Sequence, residues 1–228
     1  MESFASRSIL LVGEEKYRKL EQSCVLVVGI GGVGGTALEC LARSGIKKFV
    51  IIDYDNVSIS NLNRQILFKN EDVGKSKVAV AKERLKGINP QIEVVSLNQY
   101  FDENILNELD KFHFDYIVDA IDSIKSKVTL IKYALKKDIK IIVSLGMANR
   151  LDPSKVLIER LDKTINCPLA KKLRSELRKE QIDLKKIMCA FSKEIPHING
   201  SYIASMMMVP SSAGLNIASY VITNLMEE

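Results

Sequence analysis

Apolar and polar residues fall along this chain in two kinds of block. Short β-branched runs at 25–28, Lys48–Ile52, 92–97, 116–120 and 139–145 read as strands. Between them lie stretches with helical spacing. These are TALECLARSG at 36–45, then 74–86 with Val78, Ala81 and Leu85 on one face, then 101–109, then 123–137 with a stripe at Val128, Ile131 and Leu135. Gly87 and Asn89-Pro90 stop the second of these. Glu14–Gln22 adds a short helix ahead of the first strand, and 56–70 is polar and irregular. Strands separated by helices predict a parallel sheet covered on both faces.

After Gly146 the rhythm changes. Strands are expected at 156–161, Met188–Ser192 and 202–209, a basic helix at 168–180 and a closing helix at 210–226. No strand–helix–strand unit can be drawn there, so the expectation is an antiparallel extension of the same sheet. The fold class is therefore α/β: a Rossmann-like, doubly wound, mainly parallel sheet extended by antiparallel C-terminal strands. One domain is expected over 1–228, with a nucleotide-binding half at 1–146 and a C-terminal extension at 147–228.

Composition changes this picture little. A chain of 228 residues buries roughly 70–75% of its unfolded surface and needs no covalent staples. Cys24, Cys40, Cys167 and Cys189 include no C-x-x-C pair, which fits a reduced compartment; Cys24 and Cys40, flanking the glycine loop, read as small buried hydrophobes, and the roles of Cys167 and Cys189 stay open. Apolar runs such as 206–209 fall far short of the ~20 residues of a membrane span, and 9–12 is too short for a signal-peptide core. The expected setting is cytoplasmic, with no membrane partner. A net charge of +5 names no partner by itself.

The chemistry begins where the run at 25–28 meets GIGGVGG at 29–35. Gly29 allows the tight turn out of the strand, and Gly31 and Gly32 leave the backbone bare for a phosphate. Gly34 lets the helix pack against the sheet, and the helix N-terminus opened there favours negative charge. Asp53, followed by Asp55, stands at the end of the second strand, where a ribose ligand belongs. That much suits a dinucleotide and ATP equally. A triphosphate carries about two more charges and needs fixed cations plus a metal. Arg64 and Lys77 supply the cations, and Asp122, just past 116–120, can hold Mg2+. A nicotinamide oxidoreductase leaves these three without a role, and a non-catalytic nucleotide module would tolerate their loss.

GIGGVGG, the D-x-D after Lys48–Ile52, SNLNRQ at 60–65, GKSK at 74–77 and DAIDS at 119–123 together resemble the adenylating domain of ubiquitin-activating-type enzymes. The resemblance covers nearly the whole chain. It implies that Asp53 holds the ribose, that Asn61, Arg64 and Lys77 hold the triphosphate, and that Asp122 binds the metal. It also implies that Arg7 is an arginine finger reaching into a partner subunit's site, and hence a homodimer. Sulfur-carrier activators of this superfamily usually carry two C-x-x-C pairs for zinc, absent here.

SLGMANRLDPSK at 144–155, CPLAKKLRSELRK at 167–179, FSKE at 191–194 and VPSSAGL at 209–215 resemble instead the tRNA threonylcarbamoyladenosine dehydratases. In that family ATP activates the threonylcarbamoyl carboxylate beside the anticodon, and the carbamoyl group closes a ring with loss of water. The segment 195–200 is short beside some relatives. The resemblance implies ATP and Mg2+ as cofactors and tRNA carrying threonylcarbamoyladenosine as substrate. A sulfur-transfer or redox protein stays open as a further partner, as does a carrier-protein substrate as the rival activity. Lys171, Lys172, Arg174, Arg178 and Lys179 fall within nine residues and independently suit a phosphate backbone. His113 and His197 read as structural, since nothing near them has triad or metal spacing.

Overall fold

The computed structural model describes residues 3–198 and 203–227. Two helices, α1 (Ser6–Val12) and α2 (Glu14–Gln22), precede β1 (Cys24–Val28). There follow α3 (Gly32–Arg43), β2 (Lys48–Ile52), α4 (Lys77–Ile88), β3 (Glu93–Leu97) and the single turn α5 (Leu106–Leu109). Then come β4 (Tyr116–Asp119), α6 (Ile124–Lys136), β5 (Lys140–Ser144) and β6 (Val156–Arg160). The chain closes with α7 (Pro168–Lys179), β7 (Met188–Ser192) and α8 (Met208–Glu227). The strands form one sheet in the order β3-β2-β1-β4-β5-β7-β6. The α/β, mainly parallel architecture is the one expected from the blocks of hydrophobicity.

Alternation along each strand divides the core. Val25 and Val27 face one cluster with Phe49, Ile51, Leu41 and Ile217, whereas Leu26 and Val28 face another with Val50, Ile117, Leu130 and Leu173. The first cluster lies under α3, α4 and α8, the second under α6 and α7. The register Leu26↔Val50 and Leu26↔Ile117 keeps these sets on their faces, and a one-residue slip would exchange them. Each fully buried Val or Leu contributes roughly 1.5–3 kcal/mol.

The C-terminal region departs from expectation in detail. Among the described residues only β6 runs antiparallel; β7 lies parallel to β5 and separates it from β6. The strand expected at 202–209 is absent among the described residues. Tyr202 lies outside them, as do Asn199 and Gly200 of the short segment 195–200. Residues 203–206 are irregular, and α8 has already begun at Met208. Met206, Met207 and Met208 are all exposed, so this apolar run has no sheet to pair with. Pro210 sits in the first helical turn, where its missing N–H costs no intrahelical bond.

Two further differences have local causes. The expected stripe on 123–137 is rotated: Leu135 faces solvent, and the buried face is Lys127, Leu130, Ile131 and Ala134. A lysine at the first of these positions hid the pattern. Helix α1, unread in the sequence, buries no residue at all.

Candidate active site

A cavity of about 510 Å³ opens at the carboxyl ends of the parallel strands. It lies where β1 has β2 on one side and β4 on the other, so that the connections diverge. Such a switch point is where open α/β sheets bind ligands. Gly29 turns out of β1 with φ +90°, and a Cβ there would lie 2.5 Å from the Ala120 carbonyl oxygen. A Cβ on Gly34 would overlap the Gly29 carbonyl oxygen and come 2.9 Å from the Ala120 Cβ. Both glycines bring the β1 loop onto the β4 loop. A Cβ on Gly31 would meet only the Gln65 amide at 3.8 Å, so this loop is bare toward the cavity. Gly31 is the N-cap of α3, with no side chain capping its amides.

Asp53 closes the other side. Its Oδ2 accepts the Ile30 amide at 2.6 Å and its Oδ1 the Asp55 amide at 2.9 Å, so one carboxylate ties β2 to the glycine loop. Asn61 ends a 3₁₀ turn (Ile59–Asn61), and its Oδ1 accepts the Ser58 amide at 3.0 Å. Arg64 donates through Nη1 to the Ser60 carbonyl at 2.7 Å and to Asn63 Oδ1 at 2.9 Å. Lys77, at the first turn of α4, is buried and donates to Asp55 Oδ2 at 2.6 Å. All four line the cavity, as do Asp55 and Asp122. Asp122 is exposed and makes no hydrogen bond among the described residues.

Several residues here escaped the sequence reading. Gln65 follows Arg64 and lines the cavity, with its Oε1 buried and without a hydrogen bond among the described residues. Tyr54 and Tyr100 pack edge to face with centroids 5.1 Å apart, forming an aromatic rim. The Asp55 carboxylate beside it raises the Tyr54 phenol, and hydrogen bonds to Ser123 and Ser126 lower that of Tyr100. Beneath the rim, Lys127 donates to Asp119 Oδ1 at 3.0 Å and to the Ser144 carbonyl at 2.7 Å. Burial pushes the Asp119 carboxyl up, against the pull of Lys127 and the Ile121 amide. Tyr54 lies inside the D-x-D motif and Lys127 eight residues past Asp119. Those spacings were the available signal.

Other expected residues lie elsewhere. Arg7 sits on the exposed helix α1 and does not line this cavity. On α7, Lys171, Lys172, Arg178 and Lys179 are exposed, while Lys179 pairs with Glu176 at 2.7 Å. Arg174 differs: its guanidinium donates to the Thr164 carbonyl at 3.0 Å and to the Thr164 hydroxyl, a structural contact that takes it out of the open cluster. His197 pairs with Glu194 Oε1 at 2.7 Å, and that carboxylate also accepts the Leu151 and Asp152 amides.

Among the described residues no three His, Cys, Asp or Glu side chains come together to hold a metal. Mg2+ needs no such cage, since it is held by one or two carboxylates together with substrate phosphates. Asp122, an exposed carboxylate lining the cavity that Arg64 and Lys77 also line, fits a metal carried in on a triphosphate. The arrangement can neutralise phosphates and hold a ribose beside an aromatic rim.

Residues 5–225 match the model of the ThiF family. The tRNA threonylcarbamoyladenosine dehydratase of Bacillus subtilis is 36% identical over 98% of this chain and 94% of its own. The crystal structure of Escherichia coli tRNA N6-threonylcarbamoyladenosine dehydratase, TcdA, in complex with ATP is 32% identical. It matches with a TM-score of 0.91 over 97% of this chain and 93% of that one. The AMP complex of the same enzyme matches with a TM-score of 0.92 at 32% identity, over the same shares of both chains. With the glycine loop, the acidic strand end and the paired cations at one switch point, these likenesses decide the matter: the chain belongs to the ThiF family, alongside the tRNA threonylcarbamoyladenosine dehydratases.

Proposed function

We propose that this chain is an ATP-dependent tRNA threonylcarbamoyladenosine dehydratase. The observation that carries the reading is the cavity itself. Bare glycine amides, Asp53, Arg64, Lys77 and Asp122 converge at one strand edge in a fold that matches an ATP complex of such an enzyme.

Asp53 accepts from the ribose hydroxyls while it holds the glycine loop. The α3 N-terminus and the loop amides donate to phosphate oxygens, Arg64 and Lys77 neutralise the remaining charge, and the Asn61 amide donates a further hydrogen bond. Asp122 is the carboxylate for Mg2+, which when bound offsets charge on the phosphates. The threonylcarbamoyl carboxylate attacks the α-phosphorus and pyrophosphate leaves. The tethered carbamoyl group then attacks the activated carbonyl and AMP departs with the carboxylate oxygen, a net loss of water. Tethering supplies the large effective molarity of an intramolecular reaction, so no carrier or enzyme nucleophile is needed.

The assembly we propose is a homodimer. Helix α1 has no buried residue and leaves Leu10 and Leu11 more than four-fifths exposed, which supports docking of this arm on a second copy with Arg7 in that copy's site. Lys171, Lys172, Arg178 and Lys179 are the tRNA face. Among the described residues no helix is long and apolar enough to cross a membrane, and a cytoplasmic setting suits the substrate.

The test is a purified reaction with ATP and tRNA carrying threonylcarbamoyladenosine, read by mass spectrometry of the nucleosides. Loss of one water from the modified adenosine, with AMP and pyrophosphate released, is the expected result. Arg64→Ala and Asp122→Ala should each cost about a hundredfold or more, as losses of charge stabilisation do, with the fold intact. Wild-type turnover by either variant overturns the assignment.

A further inference from the structure

We infer that Lys127 is a positioning residue for the Asp122 carboxylate, acting through Asp119 and the turn that joins them. Both side chains are fully buried, with Nζ 3.0 Å from Asp119 Oδ1. The same Oδ1 accepts the Ile121 amide at 3.0 Å, which sets the turn leading into Asp122. The second Lys127 bond, to the Ser144 carbonyl at 2.7 Å, reaches the end of β5. One ammonium therefore joins the carboxyl ends of two neighbouring strands. From those ends run both walls of this side of the cavity, Ala120 to Asp122 and Leu145 to Ala148.

Packing does not ask for a lysine here. The buried face of α6 otherwise carries Leu130, Ile131 and Ala134, each fully buried, and an apolar side chain would complete it. Buried ion pairs are seldom more stabilising than well-packed apolar replacements. Among the described residues, Asp119 Oδ2 is also buried without a side-chain or main-chain partner. What the pair does achieve is geometric. Asp122 makes no hydrogen bond of its own among the described residues, so its place is inherited from the turn that Asp119 holds.

This inference rests on the Mg-ATP reading of the site, and its test uses ATP without tRNA. Binding is measured by calorimetry with Mg2+ and with EDTA for the unaltered chain, Lys127→Met, and the charge-neutral double variant Lys127→Met/Asp119→Asn. Leu177→Ala, a buried substitution on α7, serves as a control for lost stability. The expected result is metal-free ATP affinity within about threefold of the unaltered chain and a Mg2+-dependent gain reduced about 10- to 100-fold, the range for supporting partners of metal ligands. Leu177→Ala keeps the full gain. If neither Lys127→Met nor the double variant folds, Lys127→Arg carries the test, because it keeps the charge and moves the hydrogen-bonding atoms. A folded variant with the full Mg2+-dependent gain overturns the inference. An unaltered chain that binds no ATP overturns the nucleotide reading instead, and the two failures are distinct.

Discussion

Lys77 Nζ stands 2.6 Å from Asp55 Oδ2, and the lysine is buried while half of the aspartate side chain is open to solvent. The pair is also tied through the main chain, since the Lys77 amide donates to the Asp55 carbonyl at 3.0 Å. A cation that a triphosphate needs is thus already aimed into the cavity and already holds an anion. Incoming phosphate must share or replace that carboxylate.

Asp55→Asn is therefore expected to bind Mg-ATP several-fold more tightly, because the amide keeps the shape and removes the competing charge. Lys77→Met should weaken binding at least tenfold, as loss of a charge-assisted hydrogen bond does. Equilibrium titration of both variants checks the pair. Weaker binding by Asp55→Asn would show that the carboxylate belongs to the nucleotide site in its own right.

The cysteines are expected to be dispensable. Burial pushes the Cys189 thiol up to about 12, with nearby Cys167 adding to the effect, so almost no thiolate exists at neutral pH. Its Sγ donates to the Glu159 carbonyl at 3.2 Å. Cys167 Sγ accepts the Ala170 amide as the N-cap of α7, a structural use of the sulfur. Cys167→Ser and Cys189→Ser, singly and together, should retain dehydratase activity, with no thiol-dependent rise in rate between pH 7 and 9. Abolished cyclisation in a folded, ATP-binding variant would reveal a covalent intermediate.

Arg7 lies away from the cavity of its own chain, which makes its role separable. Arg7→Ala and Asp122→Ala proteins are each expected to be inactive alone. Mixed under conditions of subunit exchange, they should recover activity, because a heterodimer carries one intact composite site. No recovery with exchange confirmed counts against the arm acting in trans.

On α7 the structure divides the basic residues in two. Charge reversal at Lys171, Lys172 and Arg178 should weaken tRNA binding and flatten its salt dependence, leaving ATP affinity and melting temperature unchanged. Arg174→Glu should instead lower the melting temperature, since it removes the bonds to Thr164. Equal tRNA affinity after the triple reversal would make this helix an ordinary solvated face.

Much of this protein was determined by its sequence alone. Continuous apolar runs specified strands buried on both faces, and GIGGVGG specified a tight turn out of β1 at Gly29, where φ is +90°. Both depend on residues close together in the chain, so the local pattern contained them. The tertiary structure decided the rest. The partner of Lys77 lies twenty-two residues away, and the burial of Lys127 depends on β4 and β5 ending side by side. The place of β7 between β5 and β6 follows from pairing across a long connection. A charged side chain looks alike in sequence whether it meets water, phosphate or a buried carboxylate. Which of these it meets is settled only when distant strand ends become neighbours and exclude the solvent.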